Sequence, residues 1–147
     1  MKERILVTGG TGFIGSHSVV ELQNSGYEVV IVDNLSNSKA EVVDNIEKIT
    51  GIRPAFEKED CKNFEGMDAI FAKYSPIKAI IHFAASKAVG ESVQKPLLYY
   101  RNNIVSLVNL LELMPKHNVK GIVFSSSCTV YGQPDKLPVT ENAPVKP

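Results

Sequence analysis

Three observations predict an α/β fold built on a doubly wound parallel sheet. Short runs rich in isoleucine and valine alternate with longer segments of helical character, the pattern of βαβ units whose strands are buried on both faces. A glycine-rich turn joins the first run to the first helical segment, and an aspartate closes the second run. Five strands are expected, over Arg4–Thr8, Glu28–Val32, residues 54–57, residues 79–83 and Gly121–Phe124, in the order 3-2-1-4-5.

Four helices are expected between them. The first covers residues 12–24 and stops at Gly26, a residue suited to the left-handed conformation past a helix end. The second follows Ser38, which with Glu41 makes a capping-box pattern, and ends near Gly51. A third spans residues 63–74. The fourth runs over residues 96–114, with Pro96 in its first turn and Pro115 closing it. Residues 128–147 carry four prolines and read as a loop after a domain of residues 1–127. With only five strands the sheet is incomplete, and the chain is expected to be cut from a longer one.

Composition narrows the function. Lysine plus arginine number 16 and so do aspartate plus glutamate, so no net field draws a nucleic acid or an anionic membrane. No apolar run approaches the roughly 20 residues that span a bilayer, and the apolar stretch near the start is too short for a signal peptide. A cytoplasmic protein is expected, in which Cys61 and Cys128 are free thiols. His17, His82 and His117 lack ligand spacing, so no metal site is expected.

Strand RILVT runs into the turn GGTGFIG at residues 9–15 and then a helix. Gly9 and Gly12 let the backbone turn tightly and approach a pyrophosphate, and Gly15 allows close packing of helix on strand. The unpaired N–H groups and positive end of the helix then favour the anion without a cationic side chain. Asp33 ends the second strand, where a carboxylate can accept hydrogen bonds from both hydroxyls of an adenosine ribose and repel a 2′-phosphate. These features predict a Rossmann-type fold that binds NAD in preference to NADP. Asn34, Ser36, Asn37 and Ser38 offer polar contacts there, or simply form the loop and cap the next helix.

Residues 82–96, HFAASKAVGESVQKP, followed by Tyr99, Tyr100 and Asn102, and then residues 124–132, FSSSCTVYG, closely resemble UDP-glucose 4-epimerases of the extended short-chain dehydrogenase/reductase family. The resemblance covers essentially the whole chain. It implies NAD-dependent interconversion of UDP-galactose and UDP-glucose through a 4-keto sugar, and a homodimer to which the helix over residues 96–114 contributes. By position it implies that Phe13 and Ile14 line the pyrophosphate turn and that residues 33–38, Leu35 included, surround the adenosine ribose. Asp60 and Cys61 fall at the adenine, while Phe83, Ala84 and Ala85 run beside the cofactor. Lys87 approaches its phosphates, Asn102 supports the site, and Ser125 lies near the nicotinamide. Ser127 matches the serine that hydrogen-bonds the sugar oxygen and assists proton movement. The family's Tyr-x-x-x-Lys pair falls beyond Pro147, so this chain alone is expected to bind NAD without epimerising.

Taken without the resemblance, Ser127 is a strand-end serine satisfying backbone groups, and Lys87 and Asp60 are solvated loop residues. Two further functions share these residues: a sugar-nucleotide 4,6-dehydratase, and a noncatalytic dinucleotide-binding module. Tyr74 and Lys78 repeat the Tyr-x-x-x-Lys spacing, but Pro76 between them is expected to keep them off a common helix face.

Overall fold

A computed structural model describes residues 2–146. Strands β1 (Arg4–Thr8), β2 (Glu28–Val32), β3 (Ala55–Glu57), β4 (Ala79–His82) and β5 (Gly121–Phe124) pair in parallel in the order β3-β2-β1-β4-β5, as the sequence predicts. In register, Thr8 lies between Val32 and His82, so the carboxyl ends of the three central strands form one edge.

Strand side chains alternate between faces, and each face has its own core. On one, Leu6, Val30, Val32 and Ile80 meet Met67, Ile70 and Phe71 of α3 (Phe64–Lys73), together with Leu110 and Leu113 of a helix over Ser106–Lys116. On the other, Ile5, Val7, Val29 and Ile31 meet Val19 of α1 (Phe13–Asn24) and Val43 and Ile46 of α2 (Glu41–Thr50). Burial on both faces is why the strands read as unbroken apolar runs.

Gly26 has φ +90 just beyond α1, and Asn63 caps α3 by accepting a hydrogen bond from the N–H of Gly66. Three details depart from expectation. Ser38 does not cap α2: among the described residues no side chain caps that helix, and the Ser38 hydroxyl is engaged instead with Asp33 and Thr11. A short helix missed in the sequence, α4 (Val89–Gln94), precedes Pro96. The predicted fourth helix is broken into α5 (Pro96–Tyr100), a π-turn over Arg101–Val105 and α6 (Ser106–Lys116). Pro115 sits inside α6 rather than ending it, because near a C-terminus its missing N–H deletes a single ladder bond. The chain leaves through Asn118 at φ +56, with the Val119 N–H donating to the Met114 carbonyl at 2.8 Å. In the segment after β5, Cys128–Tyr131 forms a 3-10 turn, and the side chain of Cys128 lies outside the described residues.

Candidate functional site

The glycine turn is tight enough to explain its residues. Gly9 has φ +69, and a Cβ there would stand 2.7 Å from the backbone nitrogen of Ala84. At Gly15 a Cβ would stand 2.2 Å from the Gly9 carbonyl oxygen. Strand, turn and helix are thus in backbone contact. Helix α1 begins there with Gly12 as N-cap; among the described residues no side chain caps it and its first turn holds no acid. Among the described residues its first N–H groups therefore lack side-chain partners, and the partial positive charge of its dipole is not offset by an acid there. Phe13 and Ile14 flank it, with Phe13 81% exposed. This cradle fits a pyrophosphate.

Asp33 closes the next strand end and is only 8% exposed. Its carboxylate accepts from the Thr11 N–H at 3.2 Å, the Leu35 N–H at 2.9 Å and the Ser38 hydroxyl at 3.2 Å. Ser38 in turn bonds the Thr11 hydroxyl at 2.7 Å. One carboxylate therefore ties the phosphate turn to the loop after β2, a role the sequence did not disclose. That loop bends through Leu35 at φ +59, a left-handed conformation costly for leucine and of the kind concentrated at binding sites. Asn34 accepts from the Ser36 N–H and donates to Asp60 at 3.2 Å, while Ser36 and Asn37 are exposed.

Asp60 lies beside that loop. Burial pushes its carboxyl up, but the Lys62 N–H, the Asn34 amide and the Lys62 ammonium outweigh this and hold it below the usual range. The Cys61 thiol points into the core at 5% exposure, and burial pushes it up to about 12. Its carbonyl accepts from Asn109 at 3.0 Å, and the sulfur is turned away from the surface.

At the β4 end the Phe83 N–H donates to the Thr8 carbonyl, Ala84 abuts Gly9, and Ala85 and Lys87 are exposed. Asn102 reaches this loop from the π-turn, donating to the Ser86 hydroxyl at 2.9 Å and accepting from Lys62 at 2.6 Å. Its neighbour Asn103, which sequence reasoning missed, bonds the Ser86 backbone. Beyond β5, the Ser125 N–H donates to the His82 carbonyl. Ser127 is exposed, and its hydroxyl accepts from the Thr129 N–H at 3.3 Å.

His82 is buried beneath the site, 2.6 Å from the Thr8 hydroxyl and stacked on Phe124. Burial pushes its imidazole from 6.5 down to about 4. A base whose folded pKa is depressed lends stability that is present above 6.5 and lost as pH falls toward 4. Denaturant melts at pH 7 and pH 4.5 are expected to show His82→Gln losing roughly 2–3 kcal/mol less than the wild type over that interval. Equal losses would contradict a buried neutral imidazole.

The Tyr74/Lys78 pair lies outside this site. Tyr74 caps the C-terminus of α3 and donates to Glu57 at 2.6 Å, and burial followed by that carboxylate holds its phenol above the usual range. Lys78 pairs with Glu3, before the opposite, amino end of the sheet. Tyr74→Phe is expected to lower stability by about 1 kcal/mol and to leave dinucleotide affinity unchanged, as paired melting and titration experiments would read.

A family model described as GDP-mannose 4,6 dehydratase matches residues 6–147. The chain belongs to that family. The UDP-glucose 4-epimerase of Bacillus subtilis is 55% identical over 96% of this chain and 41% of its own length. That of Dictyostelium discoideum is 53% identical over 97% and 41%. Among solved structures, the UDP-glucose 4-epimerase of Bifidobacterium longum in complex with NAD+ and UDP superposes with a TM-score of 0.92 at 49% identity, over 97% of this chain and 42% of that one. The UDP-glucose 4-epimerase of Stenotrophomonas maltophila, with bound NAD and formylated UDP-arabinopyranose, gives 0.91 at 48% identity, over 98% and 43%. The family member described here thus spans about two fifths of the length of these relatives. No helix among its described residues is long and apolar enough to cross a membrane.

Proposed function

We propose that this chain is the NAD-binding part of an enzyme that interconverts UDP-galactose and UDP-glucose. The observation that carries the reading is the pair of Gly9–Gly15 backbone cradle and Asp33 acceptor on one sheet edge, in a chain whose relatives at about half identity are epimerases. Bound NAD would supply the reversible hydride acceptor for the sugar C4 alcohol. The chain's own residues bind and orient. The first N–H groups of α1, at Phe13, Ile14 and Gly15, face the pyrophosphate. Asp33, with Asn34, Leu35, Ser36, Asn37 and Ser38, surrounds the adenosine ribose, and Asp60 and the Cys61 backbone border the adenine. Phe83, Ala84 and Ala85 line the cofactor's path, Lys87 adds positive charge, and Asn102 and Ser125 border the far half. The Ser127 hydroxyl donates to or accepts from the sugar C4 oxygen, steering its proton. The strong base that removes that proton is not among the residues of this site, so the chain alone binds NAD without turnover.

The same reading includes a second copy of the chain. Leu97, Tyr100, Ile104, Val108 and Leu111 are 43–69% exposed on α5, the π-turn and α6. These exposed apolar side chains, recurring three or four residues apart, suit a self-complementary helix contact.

The experiment is a graft of residues 1–147 onto the remaining C-terminal part of the Bacillus subtilis relative. With NAD and UDP-galactose, the graft is expected to form UDP-glucose and the chain alone none. A folded, NAD-binding graft that yields no epimer, or a 6-deoxy-4-keto sugar instead, would overturn the reading in favour of a binding module or a dehydratase.

A further inference from the structure

The π-turn over Arg101–Val105 interrupts an otherwise continuous helix, and such turns concentrate at functional sites. Successive residues of a regular α-helix point about 100° apart, so neighbours do not converge on one target. Asn102 and Asn103, both within the π-turn, nonetheless both meet Ser86, one at its hydroxyl and the other at its backbone. Asn103 Oδ1 accepts from the Ser86 N–H at 2.8 Å, and Asn103 Nδ2 donates to the Ser86 carbonyl at 2.9 Å. The side-chain amide grips that residue as a neighbouring strand would. The Ser106 hydroxyl takes the carbonyls of Asn102 at 2.5 Å and Asn103 at 3.4 Å, anchoring the turn that presents them.

The gripped loop is the one that borders the candidate cofactor site. Two residues before Ser86, the Ala84 backbone packs on Gly9 so closely that no Cβ fits between them. One residue after Ser86 comes Lys87, which is exposed. The loop is therefore pinned by the glycine turn at one end and by the helix at the other. We propose that Asn103 is the positioning residue of this loop, setting through the Ser86 backbone how residues 84–87 meet the phosphate and nicotinamide half of the dinucleotide. The inference rests on the NAD reading above and assigns Asn103 no contact with the cofactor itself.

The test compares Asn103→Ala, Asn103→Asp and the control Tyr74→Phe with the wild-type chain. Affinities for NAD and for AMP, which engages only the adenosine side, are measured by titration, alongside melting temperature and hydrogen exchange at the Ser86 amide. Losing the two bonds is expected to weaken NAD about tenfold while AMP affinity stays within about twofold of wild type and Ser86 exchange accelerates. Asn103→Asp, nearly the same size, sets a carboxylate oxygen against the Ser86 carbonyl and is expected to act alike, which carries the comparison if Asn103→Ala does not fold. Tyr74→Phe, which leaves the clamp untouched and lies outside the site, is expected to bind NAD as the wild type does. Unchanged NAD affinity in both Asn103 variants, or equal losses for NAD and AMP, would overturn the positioning role. A wild-type chain that binds no NAD would overturn the functional reading instead, and unchanged Ser86 exchange in the variants would overturn the clamp itself.

Discussion

Replacing Gly15 by alanine is expected to abolish measurable NAD binding and to destabilise the fold. The new methyl would stand 2.2 Å from the Gly9 carbonyl oxygen and 2.9 Å from the Gly10 Cα. Both are backbone atoms, so no side chain can swing aside. Either α1 moves away from the strand, or the turn opens. Overpacking of this kind costs about 1–3 kcal/mol and occasionally more. A shift of about 1 Å in the helix start would also carry its N–H groups out of reach of the pyrophosphate, since hydrogen bonds weaken steeply beyond their narrow distance range. Calorimetric titration and thermal melting of the variant check both halves. Wild-type affinity would mean that the phosphates do not lie against this turn.

The second large effect is expected at Asp33. Asp33→Ala removes a carboxylate that holds the Thr11 and Leu35 N–H groups and the Ser38 hydroxyl, together with the acceptor offered to the ribose. Charge-assisted hydrogen bonds are each worth about 1.5–3 kcal/mol, so NAD affinity is expected to fall about a hundredfold. NADP affinity falls less, because the same substitution removes a negative charge that opposes the 2′-phosphate. Equal losses for the two cofactors would reduce Asp33 to the structural tie alone.

What could be read in advance followed from backbone demands that few residue types satisfy. The strand, the turn at residues 9–15 and the acid after the second strand are legible because a positive φ at Gly9 and a backbone contact at Gly15 leave glycine as the residue that fits. The strand order follows from alternation and the handedness of crossovers. Ser38 was misread because the capping-box pattern is local, whereas the Asp33 carboxylate and Thr11 hydroxyl that compete for it are 5 and 27 residues away. The π-turn was invisible, since the apolar row of α5 and α6 keeps helical spacing across it and no residue type marks an i to i+5 bond. Asn103 was missed because its partner, the Ser86 backbone, lies 17 residues away and no local pattern marks the contact. The buried thiol of Cys61 could not be told from an exposed one by sequence, because its burial comes from core residues distant in the chain, such as Leu110 and Leu113.

Backbone amide resonances followed during titration of the chain with NAD test the central claim most directly. The account predicts saturable shifts confined to residues 9–15, 33–38, 60–62 and 83–87, weaker with NADP at equal concentration, over an otherwise unchanged spectrum. Shifts absent from these four segments in the folded chain, or gathered at the opposite sheet end around Tyr27 and Arg53, would contradict it.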